Sequence, residues 1–487
     1  MTGDQQQQAS APLHAVVFPW LAFGHLIPFL ELSKRLARRG HAVTFVSTPR
    51  NVARLPPVPT GLSGRVRLVA LPLPAVDGLP DGAESTADVP PEKVELLKAA
   101  FDGLAAPFAD FLDRSREGEA GFERRPDWIV LDFAHHWLFP IADQHQIPCA
   151  MFLIVTGTML AYSGPRWENV AHPRVTADDF MPTPRWFPSP SSLAYRRHEA
   201  AWMAAAFQPN ASGISDMERF WLTEQHCRLL VFRSCLEVEP LVFSLLAHLY
   251  RKPAVPAGLL LPDPADDGDH DNGIGVARSG ALQWLDEQPP GSVLYVALGS
   301  EAPVTEESVH ELALGLELSG VRFLWALRRP SGATGTGTSP LLPDGFEART
   351  RGRGAVCTGW VPQVRLLAHV AVGAFLTHCG WGSVAENLRF GHPLVMLPFV
   401  VDQGLIARMM AERGVGVEVA RRDDGSFGRD DVAASVTLVM LEEEGKVLAL
   451  NAKRLKEVVV GDEGGRQERY VDELVDCLQR HSFTGFD

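Results

Sequence analysis

The chain has 487 residues, of which 46% are hydrophobic and 21% charged, ordinary values for a globular protein of two or three domains. Its 59 acidic residues outnumber 45 basic ones, which gives a formal net charge of −14. Nucleic-acid binding needs a basic face that displaces counterions from phosphates. Because no long run of Lys or Arg is present, the composition argues against that class of protein.

The apolar runs are too short for a membrane protein, because each is interrupted well before the roughly 18 residues that a spanning helix needs. The polar, Gln-rich residues 1–10 precede a short strand pattern, which does not fit a signal peptide. The six cysteines are scattered without a CxxC pair, which favours buried free thiols over a disulfide framework or zinc site. We therefore predict a cytoplasmic protein, and we expect a monomer.

The first half of the chain alternates between strand and helix patterns. Strands are predicted at 14–19, 42–47, 66–73, 128–132, 149–155 and 229–233. A helix that Gly24 opens and Gly40 ends follows the first strand, and 92–116 has a second helical pattern. Continuous apolar strands separated by helices predict a parallel sheet covered on both faces. Residues 165–215 are rich in Pro, Trp and Arg and long for a connection, so we interpret them as an acceptor loop.

Residues 253–280 interrupt this alternation, since they are rich in Pro, Gly and Asp and have the composition of an exposed linker. Strand patterns then return at 292–298, 322–327, 355–358, 372–377, 393–397 and 415–419. We predict an α/β fold of two Rossmann-like, doubly wound domains, 1–252 and 281–465, joined by the linker 253–280. Their ligand cleft should lie between the loops at the carboxyl ends of the strands.

The densest chemistry follows the predicted strand 372–377. Two glycines in the turn, Gly380 and Gly382, let the backbone approach a ligand closely, and Ser383 is predicted as the helix N-cap. Free N–H groups and the positive end of the helix dipole suit a phosphate, with His378 as a further donor. Glu386 lies one turn inside the helix, where its carboxylate can accept both hydroxyls of a ribose.

A histidine follows the first predicted strand, in the loop where that strand gives way to a helix. Such a loop points into the cleft, and His25 has the proton affinity that suits deprotonation of an alcohol near neutral pH. Its position alone fits a helix cap or a packing residue as well as a general base.

The block from Trp360 to Gln403 resembles the plant secondary product glycosyltransferase box in length and in its fixed points. These points are Trp360-Val361-Pro362-Gln363, His378-Cys379-Gly380-Trp381, Glu386 and Asp402-Gln403. The resemblance extends over nearly the whole chain. It implies a plant UDP-dependent glycosyltransferase of the GT-B type, a hexosyltransferase whose C-terminal domain holds the UDP-sugar. It also implies that 466–487 cross back onto the N-terminal domain.

The resemblance assigns to the donor site Ser300, Trp360, Val361, Gln363, His378, Gly380, Trp381, Gly382, Ser383, Glu386, Asp402 and Gln403. It implies that Trp360 stacks on the uracil with Gln363 near the nucleoside. His378, Ser383 and Ser300 should bind the diphosphate, and Glu386 the ribose. Trp381, Asp402 and Gln403 should face the sugar, and a terminal Gln resembles glucose users. The family usually has Asn where this chain has Gly382, and the missing amide removes a phosphate hydrogen bond of about 1 kcal/mol.

By the same resemblance, His25 matches the general base of the family, and Asp132 should hold one imidazole nitrogen and stabilise the imidazolium. The acceptor oxygen would attack the anomeric carbon opposite UDP, so an α-linked donor gives a β-glycoside by inversion. The helix end, His378 and Ser383 should meet the leaving-group charge. We therefore expect no metal and no cofactor beyond the co-substrate UDP-glucose.

Residues 78–86 and 135–137 resemble a plant subgroup that adds sugars to terpenoid or flavonoid glycosides, typically by β-1,2 branching. The small-molecule acceptor should therefore already carry a sugar. The candidate residues that line its site are Trp20, Phe23, His136, Trp137 and Glu301.

Several alternatives remain at this point. The enzyme could act directly on an aglycone, use another donor such as UDP-rhamnose, or be a nucleotide-sugar epimerase or hydrolase. It could also be an inactive nucleotide-sugar-binding protein. A metal-dependent transferase would use Asp266, Asp267 and Asp269, but these lie in the linker without a preceding apolar strand. The adjacent His135 and His136, without a third ligand in sequence, make a poor metal site and fit either the acceptor cleft or loop packing.

Overall fold

A computed structural model describes residues 11–116, 125–188, 191, 193–262, 275–299, 302–328, 341–359, 361–461 and 465–482. Within these ranges the strands form two separate sheets, and every strand pairs in parallel with its neighbours. No helix of the described chain is both long and apolar enough to cross a bilayer.

The first sheet has the strand order β3-β2-β1-β4-β5-β6-β7. Its strands are β1 His14–Phe18, β2 Ala42–Ser47, β3 Val66–Ala70, β4 Trp128–Leu131, β5 Cys149–Leu153, β6 Leu229–Phe232 and β7 Ala254–Pro256. Phe18 at the end of β1 pairs with Leu131 at the end of β4. The segments that follow these two central strands therefore leave the sheet at the same edge.

The second sheet repeats this topology, with the order β10-β9-β8-β11-β12-β13. Its strands are β8 Val293–Ala297, β9 Arg322–Leu327, β10 Gly354–Thr358, β11 Val372–Thr377, β12 Leu394–Met396 and β13 Gly416–Glu418. Ala297 pairs with Thr377, which in turn pairs with Met396. The loops after β8, β11 and β12 consequently meet at one edge, where Rossmann-like sheets bind ligands.

Helices surround both sheets. In the first half they are α1 Phe23–Arg38, α2 Pro49–Arg54, α3 Val94–Asp102, α4 Ala105–Arg116, α5 Phe139–Gln144, α6 Gly157–Ser163, α7 Arg166–Ala171, α8 Ala177–Phe180, α9 Arg197–Ala206, α10 Asp216–His226 and α11 Val242–Tyr250. Short 3-10 helices span Thr60–Leu62, Thr86–Asp88 and Pro91–Lys93. The second half has α12 Gly275–Asp286, α13 Glu306–Ser319, α14 Phe346–Arg349, α15 Gln363–Leu367, α16 Trp381–Leu388, α17 Gln403–Glu412, α18 Arg429–Leu441, α19 Glu443–Val460 and α20 Gly465–His481.

Both faces of each sheet are buried. In β1, Val16 and Phe18 belong to one apolar cluster, whereas Ala15 and Val17 belong to another. The same alternation divides β8 and β11 between two further clusters. Because successive side chains of a strand point to opposite faces, this division means that helices cover each sheet on both sides.

The boundaries of several predicted segments differ from those in the structure. The helical pattern 92–116 forms two helices, α3 and α4, which are separated at Gly103. The predicted linker 253–280 begins with β7, which pairs with β6 and completes the first sheet, and its end lies in α12. The irregular stretch 165–215 contains the short helices α7, α8 and α9.

The last helix, α20, follows the second sheet in sequence but packs on the first domain. Val471, Leu474 and Leu478 share an apolar cluster with the strands of the first sheet. The indole N–H of Trp128 donates to the Leu478 carbonyl at 3.1 Å. The C-terminal segment thereby ties the two domains together.

Candidate active site

A histidine and a carboxylate meet where the segments after β1 and β4 leave the first sheet. His25 lies in the first turn of α1, and Asp132 directly follows β4. The His25 Nδ1 lies 2.7 Å from Asp132 Oδ2. An ionised carboxylate can only accept, so Nδ1 carries the proton and Nε2 is the nitrogen that can take up another.

Asp132 is held in its ionised state although its side chain is buried. Burial alone would raise the pKa of this carboxyl, but the charge and hydrogen bond of His25 act in the opposite direction. The backbone N–H groups of Trp20 and Phe133 also donate to it, at 3.0 and 2.7 Å. Together these partners hold the pKa of Asp132 below its ordinary value, which suits a group that orients and stabilises an imidazolium.

His25 and Asp132 line a cavity of about 450 Å³, a volume that suits a small organic molecule. Most of the lining is apolar, including Met159 and Phe220. Polar groups are contributed by His25, Asp132, Thr86, Ser163 and Asp216. Val401, which precedes α17 of the second domain, also lines the cavity. The cavity therefore lies where the two domains face each other.

Of the predicted acceptor residues, Trp20 lines this cavity. The ring of Phe23 lies 4.9 Å from the Arg54 guanidinium and packs against the apolar cluster on the other face of the sheet. Trp137 packs against the cluster that contains Phe18. Glu301 lies outside the described residues.

The two adjacent histidines after β4 have different surroundings. His135 is fully buried, with its ring edge-on to Phe18 at 4.8 Å, and burial lowers its pKa to about 4. It is therefore a neutral packing residue. His136 Nδ1 lies 3.2 Å from the Arg219 guanidinium and 3.8 Å from Asp102. Neither histidine lines the cavity.

The cavity is also lined by residues that sequence reasoning did not identify. Leu153, Ile154 and Val155 lie at the end of β5, where the carboxyl-end rule could have pointed to them. Met159 and Phe220 lie on the helices α6 and α10. An apolar residue on a helix has the same pattern whether it faces a core or a ligand, so sequence reasoning could not separate these two cases.

The turn after β11 leads directly into α16. Gly380 is the N-cap of this helix, with φ −58° and ψ 135°, and Trp381 is its first residue. The prediction that Ser383 is the N-cap is therefore wrong, because the chain turns three residues earlier. Ser383 lies in the first turn instead, among the N–H groups that have no carbonyl partner within the helix.

His378 is enclosed by two glycines. A Cβ on Gly299 would lie 2.6 Å from its Nε2, and a Cβ on Gly380 would lie 2.4 Å from the same atom. Positions 299 and 380 therefore require glycine as long as the imidazole keeps this place. Burial lowers the pKa of His378 to about 4, so the ring is neutral at physiological pH and can donate one N–H to a phosphate.

Three predicted donor residues form one hydrogen-bonded group on α15 and α16. Gln363 Nε2 donates to Glu386 at 2.7 Å and to Ser383 Oγ at 3.3 Å. The Tyr295 hydroxyl donates to the amide oxygen of Gln363 at 3.4 Å. Val361 packs against the nearby apolar cluster. The neighbouring candidates Ser300 and Trp360 lie outside the described residues.

Trp381 does not have the placement that the resemblance implies. Its indole is buried in the apolar cluster of the second domain, and its N–H donates to the carbonyl of Arg233 in the first domain. This indole therefore joins the domains instead of facing a sugar. At Gly382, a Cβ would lie 3.4 Å from Nη1 of Arg233.

Asp402 and Gln403 lie at the start of α17, beside the cavity residue Val401. The Gln403 side-chain oxygen accepts from the N–H groups of Phe399 and Val400, at 2.8 and 3.1 Å, so its amide nitrogen is the group that can donate to a ligand. Burial raises the pKa of Asp402 to about 7, against the opposing influence of His25. The charge of His25 thus acts on Asp402, which relates the last residues of the predicted donor site to the His25–Asp132 pair.

Among the described residues, no group of three or more His, Cys, Asp and Glu side chains could hold a metal ion. Asp266, Asp267 and Asp269 lie outside those residues.

Comparisons with known proteins agree with this architecture. Residues 281–457 match the sequence model of the family described as "UDP-glucoronosyl and UDP-glucosyl transferase". The chain is 43% identical over 466 residues to UDP-glycosyltransferase 91C1 of Arabidopsis thaliana, covering 95% of this chain and 96% of that protein. It is 37% identical over 475 residues to soyasaponin III rhamnosyltransferase of Glycine max, covering 96% of each.

A solved structure of a UDP-glucosyltransferase from Polygonum tinctorium, capable of glucosylating indoxyl, has a TM-score of 0.75 and 25% identity. The similarity covers 97% of this chain and 99% of that one. The two parallel α/β domains and the site between them define a GT-B glycosyltransferase. The chain belongs to the plant UDP-glycosyltransferases, enzymes that transfer a sugar to small-molecule acceptors. The predicted fold class and family are thereby confirmed.

Proposed function

We propose that this enzyme transfers glucose from UDP-glucose, with inversion, to a sugar hydroxyl of a terpenoid or flavonoid glycoside. A β-1,2 linkage is the expected product. The observation that carries the proposal is the 2.7 Å contact between His25 and Asp132 in the wall of a largely apolar cavity. The apolar lining suits an aglycone, and the polar side chains of Thr86, Ser163 and Asp216 suit an attached sugar.

In the proposed reaction, His25 Nε2 takes the proton of the acceptor hydroxyl. The oxygen forms a bond to the anomeric carbon, and the bond from that carbon to the UDP oxygen breaks on the opposite face. The electron pair of the broken bond leaves with UDP. Asp132, ionised because its pKa is held low, stabilises the imidazolium that forms.

The charge that develops on UDP would be met at the start of α16. The first-turn N–H groups have no intrahelical partner, and the dipole of the helix is positive there. The neutral His378 imidazole and the Ser383 hydroxyl add two more donors. Groups fixed in this way stabilise a leaving anion without having to reorganise during the reaction.

Transfer of rhamnose from UDP-rhamnose is a second candidate function. It is favoured by the relative that is 37% identical and is a soyasaponin III rhamnosyltransferase. Glucose remains the first proposal because Gln403 is the terminal Gln that the resemblance associates with glucose users, and because it keeps an amide nitrogen for a sugar hydroxyl.

The test is UDP release by the purified enzyme from UDP-glucose and UDP-rhamnose, each with no acceptor, with aglycones and with monoglycosides. The variants are His25→Ala and the matched control His369→Ala, which removes another histidine paired with a carboxylate, Asp286, at 3.1 Å. We expect release from UDP-glucose with monoglycosides, retained in the control and reduced by about a hundredfold or more in His25→Ala.

Each other outcome identifies a different function. Release without any acceptor would indicate a hydrolase, and release with aglycones only would remove the glycoside acceptor from the proposal. Release from UDP-rhamnose alone would favour the second candidate. UDP binding without release from either donor would leave a nucleotide-sugar-binding protein.

A further inference from the structure

Arg233 extends from the N-terminal domain toward the predicted donor site. It directly follows β6, and its backbone N–H donates to the Leu153 carbonyl at 2.8 Å. Its own carbonyl accepts from the indole of Trp381, and its Nε donates to the Leu259 carbonyl at 2.9 Å. These three hydrogen bonds fix the direction of the side chain, which is only 4% exposed.

The end of this guanidinium lies at the first turn of α16. Its Nη1 is 3.4 Å from the position that a Cβ of Gly382 would occupy. Among the described residues, neither Nη1 nor Nη2 donates a hydrogen bond to a protein acceptor, although the side chain is almost fully buried. Because these N–H groups are not fully enclosed by protein, they remain available to an anionic ligand. The adjacent helix N-terminus is itself a site that favours an anion.

We infer that Arg233 binds the diphosphate of the nucleotide sugar from the N-terminal domain and supplies the side-chain donor that position 382 lacks. A Cβ at position 382 would be in van der Waals contact with Nη1, so the guanidinium reaches the place where a side chain at this position would begin. A planar guanidinium can hold two phosphate oxygens at once, which a single amide cannot do. This inference rests on the proposed function, since it assigns a ligand to the same donor site.

The carboxylates of Glu386 and Glu31 both act on the charge of Arg233, and Arg35 opposes them. Glu386 lies one turn after Gly382 on α16, so Arg233 faces the helix between the expected diphosphate and the expected ribose. Arg233 would then contact the diphosphate of UDP, the leaving group of the reaction. Its loss should weaken binding of UDP and leave the contacts of the uracil and ribose in place.

The test measures binding of uridine and UDP by calorimetry in four full-length proteins: wild type, Arg233→Gln, the double variant Arg233→Gln/Gly382→Asn, and Arg413→Gln. The last is the matched control, because Arg413 also donates to a carbonyl across the domain interface, that of Val238. We expect Arg233→Gln to raise the Kd of UDP by about tenfold or more and to leave that of uridine unchanged. The double variant should recover part of the loss, and the control should bind both ligands as the wild type does.

Arg233→Lys provides a second variant should Arg233→Gln fold poorly, because it keeps a long stem and the charge but lacks the planar fork. It should raise the Kd of UDP less than Arg233→Gln does, with uridine binding again unchanged. Equal losses for uridine and UDP, or UDP binding as in the wild type, would overturn the inference in favour of a purely structural arginine. A wild type that binds neither ligand would instead contradict the proposed function itself.

Discussion

Among single residues, Asp402 has a carboxyl group whose pKa lies close to physiological pH. Its carboxyl is 8% exposed, and burial raises its pKa to about 7, with the charge of Glu239 acting in the same direction. In the unfolded chain an aspartate releases its proton near pH 3.9. Between these two values the folded protein binds one proton more than the unfolded chain, so Asp402 makes the free energy of unfolding fall as the pH rises.

We therefore predict that Asp402→Asn becomes more stable relative to the wild type between pH 5 and pH 8. The expected gain is on the order of 2 kcal/mol, measured as the difference in unfolding free energy or Tm at the two pH values. Asp424→Asn is the control. The pKa of Asp424 is lowered by hydrogen bonds from Ser426, so this residue stays ionised in both states throughout that range. A difference between Asp402→Asn and wild type that is the same at pH 5 and pH 8 would contradict the assignment.

Individual residues differ in how far the sequence could predict their positions. His25 and Asp132 each follow an apolar strand, which placed both at the carboxyl edge of a sheet, and the resemblance paired them; that their two strands are neighbours is seen only in the structure. Trp381, Trp137 and Phe23 could not be placed in the same way. An aromatic side chain fits a core and a ligand site equally well, and its direction depends on partners that are distant in sequence, such as Arg233 for Trp381.

At the scale of elements, the segment from β11 into α16 explains why glycines are required beside His378. The backbone at Gly380 has φ −58°, which any residue can adopt, so its conformation alone does not require glycine. The requirement comes from the imidazole, which a Cβ would approach within 2.4 Å. The sequence predicted a turn that binds phosphate but not where the helix starts, because Gly380 and Ser383 are both acceptable N-caps.

This contact leads to a prediction for Gly380→Ala. The added methyl group should displace His378 and remove its hydrogen bond to the diphosphate, raising the Kd of UDP by about tenfold. Gly280→Ala is the matched control in the same domain, since a Cβ there meets nothing within 4 Å and alanine favours the helix α12. Calorimetric titration with UDP distinguishes the two variants. Equal affinities would show that His378 does not contribute to binding.

At the scale of the whole molecule, the alternation of apolar strands and helices was sufficient to predict two parallel α/β domains. The contacts between the domains were not predictable, because they join residues that are far apart in the chain. Arg408 of the second domain pairs with the buried Glu199 of the first, which lies 209 positions earlier. A pairing of this kind leaves no periodic pattern in either segment, since it depends on how two complete sheets are oriented.

Helix α20 follows the C-terminal domain in sequence but packs on the N-terminal domain. The stability of the N-terminal domain therefore depends on this last segment of the described chain. Leu474 is 1% exposed and packs in the cluster that covers one face of the first sheet. Leu474→Ala should cost about 2–5 kcal/mol, because it removes buried contacts and leaves a cavity. We expect the N-terminal domain to unfold at a lower temperature than the C-terminal domain, so that the calorimetric transition broadens or splits. Limited proteolysis should then cut first within residues 11–256.

Glu473→Ala is the control for this prediction, since Glu473 is the exposed neighbour of Leu474 on the same helix. Its substitution removes a solvated side chain, and such changes usually alter stability by less than about 0.5 kcal/mol. If Leu474→Ala and Glu473→Ala unfold at the same temperature, α20 does not stabilise the first sheet. If Leu474→Ala lowers the stability of both domains equally, the helix couples them into one cooperative unit, since a purely local loss would affect the N-terminal domain first.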